Sequence, residues 1–336
     1  MKKIILTSTV LCFFFFSCNK TIKNNNPKVS FEKLINSNNS YSILEDIQKI
    51  ADANNNNRYV GSKGNIATLE YIKEKLKTNN IPFTEQHFKD ALGNDGTNII
   101  ATINGESSDI IMLGAHLDSV KQGPGINDNA SGIAAILEAV LTVKKEGQKP
   151  KKTLQFSFWD SEENKISGSN EYIKSLNKEQ IKQIIAYLNF DMLGTKDPVY
   201  YILDGDKSSI KDFRKTLEES GLKKNEIDDF IKSQESISIA EGSDKIESLV
   251  LDFFKMNNIK TVKQDLSLIN ATDVQPFIKE IPSTSISAFH EVLNNDNELE
   301  FAPCYHKDCD KIDGIDKDTF NKMNQLIGYL IDHLAY

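Results

Sequence analysis

Three apolar runs in this chain stop in metal-type side chains. Residues 109–114 lead through Ala115 into His116, Leu117 and Asp118. Residues 153–159 lead into Asp160, Ser161, Glu162 and Glu163, and residues 186–192 close on Asp191 and Met192. Short runs rich in β-branched and aromatic residues, bounded by Gly, Asn and Ser, read as strands. Between and around them the apolar spacing turns helical, most clearly over 64–79, 129–146, 245–258 and 316–335, with further helices expected over 176–185 and 207–220. Additional strands are expected at 98–103, 199–203, 260–263 and 282–288, with an edge strand at 83–88; the polar stretch 222–244 is not assigned. Strands alternating with helices require an α/β fold, here with a mixed, mostly parallel central sheet sandwiched between helices. Ligands of open α/β sheets bind at the carboxyl edge of the strands. Charged groups at three buried strand ends are costly unless something pairs them, and a divalent cation does so.

Two more segments carry the same chemistry. Gly125-Ile126-Asn127-Asp128-Asn129 precedes the 129–146 helix, and Pro303-Cys304-Tyr305-His306-Lys307-Asp308-Cys309-Asp310 lies near the C-terminus. Each residue also has an ordinary reading: His116 as a hydrogen-bonded strand end, Asp128 as a helix cap, Glu162 and Glu163 as a solvated acidic face. Together they form a ligand set of two imidazoles, His116 and His306, and three carboxylates, Asp128, Glu163 and Asp191. Two zinc ions roughly 3.5–4 Å apart need about that many ligands if one carboxylate bridges, and a nitrogen–oxygen set suits zinc. Glu162 is left over as a general base. Asp118, two residues after His116, can accept its second ring proton. His87, His290 and His333 lack such neighbours.

The N-terminus reads as an address. In Met1–Ser17 two lysines precede an apolar run of about a dozen residues, which is a secretory signal and too short to span a bilayer. Ser17-Cys18 resembles the lipobox of bacterial lipoproteins, although Phe15 stands where Leu is usual. The expected organisation is a signal peptide over 1–17, a lipidated Cys18 and flexible tether over 18–40, and one enzyme domain over 41–336. That places the chain outside the cytoplasm, anchored by lipid to the cell envelope or secreted. Its 40 Lys and Arg against 48 Asp and Glu give a net charge of −8, which argues against a nucleic-acid partner. Four cysteines are too few for a disulfide scaffold. The expected partners are peptide substrates, the membrane enters only through the lipid anchor, and the chain is taken as a monomer.

Read in order, G-A-H-L-D-S-V, G-I-N-D-N-A-S-G, F-W-D-S-E-E, L-N-F-D-M and C-Y-H-K-D-C-D resemble the exported double-zinc aminopeptidases of bacteria, the leucyl aminopeptidase type. Their superfamily also holds glutamate carboxypeptidases and glutaminyl cyclases. The resemblance begins at Arg58-Tyr59-Val60-Gly61-Ser62 and runs to the end of the chain. It implies a zinc-exopeptidase fold and hydrolysis of the N-terminal residue of peptides. By position it implies that His116 and Asp191 hold one Zn2+, Glu163 and His306 the other, and that Asp128 bridges both. It further implies Glu162 as base, Asp118 as the acid behind His116, and Tyr305 as donor to the oxyanion. A cis Asp128–Asn129 peptide and a Cys304–Cys309 disulfide presenting His306 are expected on the same ground.

The sequence departs from the family in places. Val274 stands where His or an aromatic is usual, and Ala271 lies where some relatives carry a substrate-contacting Arg. Lys165-Ile166 replaces Gly-Leu, and the stretch around 215–245 is extra. An alternative, a glutaminyl cyclase-like acyltransferase, is disfavoured by Leu117 and by Glu162-Glu163, where those relatives carry Trp and Glu-Asp. A surface binding lipoprotein that has lost catalysis would lack a ligand or the base, and none is missing.

Overall fold

The computed structural model describes residues 30–35, 37–219, 221–264, 272–290, 292–293 and 299–336. The signal segment, Cys18, most of the tether and Ala271 lie outside the described residues.

The expected strands meet in one eight-stranded sheet. They are β1 (Phe83–Lys89), β2 (Asp95–Ile103), β3 (Ile110–His116), β4 (Thr153–Trp159), β5 (Ile184–Asp191), β6 (Val199–Leu203), β7 (Thr261–Gln264) and β8 (Ser283–Phe289). Their spatial order is β1-β2-β4-β3-β5-β8-β6-β7. The inner strands β4, β3, β5 and β8 run parallel, as do β6 and β7, while β1–β2, β2–β4 and β6–β8 are antiparallel. Inner parallel strands must be covered on both faces, and their side chains alternate accordingly. Ile111, Leu113 and Ala115 of β3, Phe156 and Phe158 of β4 and Leu188 and Phe190 of β5 enter one core; Met112, Trp159 and Tyr187 enter the other. That period of two is the pleat itself.

The first core is closed by α1 (Phe31–Leu34), α2 (Ser37–Ala53), α3 (Lys63–Thr78) and α4 (Ser131–Glu146), and later in the chain by α9 (Ser243–Met256) and α10 (Lys317–Leu334). The apolar α4 is buried along nearly its whole length. The second core lies under α5 (Ser167–Ser175) and α6 (Lys178–Gln183), where Trp159, Tyr172, Tyr187 and Phe277 form one aromatic cluster. Val274, unusual by comparison with the resembling family, packs into this cluster.

One expectation is corrected. Of the helix expected over 176–185 only α6 is helical, because Leu176 is extended and β5 has already begun at Ile184, while α5 ends just before Leu176, at Ser175. Asn177 restarts the helix: its side chain accepts from the Gln180 N–H while the Gln180 side chain accepts from the Asn177 N–H, a reciprocal cap. The unassigned stretch 222–244 contains α8 (Lys224–Ser236), which packs on α7 (Ile210–Glu219) through a Phe213–Phe230 ring contact of 5.4 Å. Few apolar residues mark α8 because only Ile227, Ile231 and Gln234 are buried.

Lys165 and Ile166 both hold left-handed backbone, at φ +67° and +55°. A side chain at such a position costs about 1–2 kcal/mol relative to the right-handed well. The exposed Lys165 stands where the resembling family carries Gly. Lys165→Gly is therefore expected to raise stability by about 0.5–1 kcal/mol, part of the relief being offset by the looser unfolded chain. Urea unfolding checks this, and an unchanged or lowered midpoint would count against it.

Candidate metal centre

The parallel register brings the charged strand ends together. His116, the last residue of β3, pairs with Trp159 of β4, so Asp160 to Glu163 emerge beside it, and Asp191 closes β5 opposite Ser287 of β8. Asp128 arrives from a tight π-type turn, Ile126–Ala130, at the start of α4. The Asp128–Asn129 peptide is cis. Gly132 lets this helix start approach β5, since a Cβ there would lie 2.5 Å from Asn129 Oδ1 and 2.6 Å from the Phe190 carbonyl. His306 comes from the 302–310 loop, in which Cys304 and Cys309 are joined by a disulfide with Cα atoms 5.4 Å apart.

Two triads result, and they share one residue. His116, Asp128 and Asp191 offer ligand atoms all within 4.8 Å of one another, and so do Asp128, Glu163 and His306. His116 Nε2 lies 3.1 Å from Asp128 Oδ1 and 3.6 Å from Asp191 Oδ1. His306 Nε2 lies 3.3 Å from Asp128 Oδ2 and 3.2 Å from Glu163 Oε2. Glu162 belongs to neither triad but lines the same cavity, with Met192, Thr272, Ser285, Phe289, Phe301 and Tyr305. Asp118 sits behind: it accepts from the backbone N–H of Glu162 (3.0 Å) and of Glu163 (3.3 Å), and its Oδ1 is 3.5 Å from His116 Nδ1. Tyr305 does not alternate away from His306 as it would on a strand. His306 is left-handed at φ +57°, and the phenol stacks on the imidazole with ring centres 3.7 Å apart, inside the cavity.

The charges explain why these groups tolerate one another. Burial opposes ionisation of Asp128, yet hydrogen bonds from His116 and His306 hold its carboxyl well below the usual range. Burial opposes the imidazolium of His306 too, but the Asp128 and Glu163 carboxylates outweigh it and push its pKa up to about 10. Glu163 is pushed up to about 7 by burial and by Asp128, against its bond to His306. A divalent ion at this point would supply the positive charge that the carboxylates draw from the imidazoles. The residues fit such an ion: Glu163 Oε1 and Asp191 Oδ1 are buried with no hydrogen-bond partner, and all donors are nitrogen or oxygen, as zinc accepts. Asp204, Asp206 and Glu247 form a third acidic triad, but the Lys263 ammonium already pairs with all three.

All eight residues singled out in the sequence come together here. Others were not foreseen as parts of the site. Thr272 donates to Asp191 Oδ2 (3.2 Å) and accepts from Asn189 (2.7 Å), which in turn accepts from Tyr187. The fully buried Arg58 donates to the carbonyls of Leu117, Pro124 and Gly125, tying down the loop after β3. Asp310 binds the turn that carries Asp128. Arg58 and Asp310 stood within quoted motifs, but only a fold shows what they reach.

The profile of a family described as "Peptidase family M28" matches residues 98–331. Leupeptin-inactivating enzyme 1 of Streptomyces exfoliatus is 31% identical over 289 residues, covering 86% of this chain and 59% of that protein. The probable lipoprotein aminopeptidase LpqL of Mycobacterium tuberculosis is 34% identical over 247 residues, covering 70% and 44%. The chain thus spans about half the length of these curated relatives. Among solved structures, an aminopeptidase from Aneurinibacillus aligns with a TM-score of 0.63 at 16% identity, covering 91% of this chain and 95% of that one. A glutaminyl cyclase from Porphyromonas gingivalis aligns at 0.66 and 17%, covering 90% and 99%. At such identities the likeness is one of fold.

Proposed function

The chain belongs to peptidase family M28, and on that premise we propose that it is a two-zinc aminopeptidase that hydrolyses the N-terminal residue of peptides. One observation carries the reading: two triads share Asp128, and Glu162 is left free beside them. His116, Asp128 and Asp191 would hold one zinc, and Asp128, Glu163 and His306 the other. When bound, zinc supplies Lewis-acid polarisation of a carbonyl and lowers the pKa of water. Glu162 takes a proton from the attacking water and returns it to the departing amine as the C–N bond breaks. Burial and the carboxylates of Asp273, Glu163 and Asp191 raise its pKa well above the usual carboxylate value against the pull of His116, so its affinity for a proton is that of a stronger base than an exposed Glu. Asp118, through the two backbone N–H groups it accepts, holds the Glu162–Glu163 peptide and orients both side chains. The phenol of Tyr305 is kept protonated by burial and by Asp128 and Glu163, so it remains a donor for the tetrahedral oxyanion. Met192, Phe289 and Phe301 give the cavity an apolar wall suited to apolar N-terminal side chains.

Export and anchoring complete the proposal: Met1–Ser17 as signal, lipidated Cys18 and tether to residue 40, and the catalytic domain from residue 41. Similarity to a relative named a lipoprotein aminopeptidase supports it, and no described helix is long and apolar enough to cross a membrane. Cys18→Ala is expected to shift the chain from the membrane fraction to the soluble one on cell fractionation; an unchanged partition would remove the anchor.

A panel of aminoacyl-p-nitroanilides, run with and without a zinc chelator and beside a Gln-peptide cyclisation assay, tests the activity. Turnover of apolar aminoacyl substrates, lost with chelator and regained with zinc, is expected. Cyclisation without anilide turnover would replace this reading by the cyclase one. In the same assay Glu162→Gln should lose about 10²–10⁴-fold in kcat, the usual worth of a general base, while metal analysis still finds two ions. A lost ion would make Glu162 a ligand instead. Tyr305→Phe should lower kcat about 10-fold or more with KM little changed. One oxyanion donor is worth roughly 2.7–4 kcal/mol, and zinc shares that charge. An unchanged kcat would leave Tyr305 as a packing residue.

A further inference from the structure

The motif that carries His306 ends in Asp310, a residue the mechanism above does not use. Three consecutive N–H groups of the turn bearing Asp128 end on it. Ile126 donates to its carbonyl (3.2 Å), Asn127 to Oδ1 (2.8 Å) and Asp128 to Oδ2 (3.1 Å). The N–H groups at a helix start have no partner within the helix, and usually a residue just before the helix serves them. Here the acceptor stands 182 residues away in sequence from Asp128. It is buried, adjacent to Cys309 of the disulfide and four residues after His306. Its own N–H donates to the Lys307 carbonyl (3.2 Å), and that carbonyl sits where a side chain on Gly123 would collide with it. Asp310 is thus part of the loop that carries one imidazole and the hydrogen-bond anchor of the turn that carries the shared carboxylate.

We propose that Asp310 is a positioning residue that sets the spacing of Asp128 from His306, and through Asp128 adjusts both metal triads at once. The inference rests on the two-zinc reading given above. A carboxylate offers two acceptor oxygens to two adjacent N–H groups; an amide of the same shape offers one and turns an N–H toward the other. Asp310→Asn therefore releases one side of the turn without changing side-chain volume. Thr272 provides the contrast, because its hydroxyl reaches Asp191 and so touches one triad only.

The test is zinc affinity by chelator competition on the full chain, in the parent, Asp310→Asn and Thr272→Val, with the melting temperature of each metal-free protein as a measure of fold. Partners one step behind a metal ligand typically contribute about 10–100-fold in affinity. Asp310→Asn should weaken both zinc sites in parallel by about 10-fold or more, and Thr272→Val one site alone. A purely structural cap would lower the melting temperature and leave both affinities at the parent values, which would overturn the proposal; so would loss at a single site. If Asp310→Asn does not fold, Asp310→Ser, which keeps one small acceptor, is read by the same criteria. A parent that binds fewer than two zinc ions would overturn the two-zinc reading and this inference with it, whereas a two-zinc parent with an unaffected variant overturns the inference alone.

Discussion

Asp128 lies between two imidazoles, 3.1 Å from His116 on one side and 3.3 Å from His306 on the other. The rest of the architecture serves that contact. The carboxylates of Asp128, Glu163 and Asp191 converge at one sheet edge, where burial penalises each charge and neighbouring charges repel. Positive charge must be supplied there, as protons on the imidazoles or as a bound divalent cation.

Rigidity comes from the two cores. β3, β4 and β5 are pinned above by α4 and below by the aromatic cluster of Trp159, Tyr187 and Phe277, so the strand ends cannot drift relative to one another. The polar connections run through the same elements: Trp159 donates to Tyr187, Tyr187 to Asn189, Asn189 to Thr272 and Thr272 to Asp191. A buried chain of this kind specifies one arrangement because any break leaves a buried polar group unpaired. On the other side Arg58 brings a buried guanidinium toward Asp118, Asp310, Asp128 and Glu163, and its bonds to three carbonyls use the charge to fix a loop.

Much of this was legible from residue order. The strands ending in His116, Glu162-Glu163 and Asp191 could be read because apolar runs interrupted by charge have few folded explanations. The helix starting after Asp128 could be read from its unbroken apolar periodicity. Less was legible where the signal was local and weak. α8 buries too few side chains to show a stripe, and the break between α5 and α6 depends on one Asn–Gln cap. The side chains of Thr272, Arg58 and Asp310 sit at sequence distances of 59 to 183 residues from what they bind, and nothing in their neighbours along the chain marks the partner.

Sequence by itself determined the α/β alternation, the identity of the ligand-type residues and the edge of the sheet at which they gather, because period-two and period-3.6 patterns constrain the backbone wherever they occur. The family resemblance named Asp128 as the shared carboxylate and Tyr305 as a donor; the tertiary structure alone puts Asp128 within reach of both imidazoles, turns Tyr305 into the cavity and joins the loop of His306 to the turn of Asp128 through Asp310. Those are distances between atoms on separate elements. They follow from how the sheet register, the disulfide loop and two buried cores fit together, and no single segment contains them.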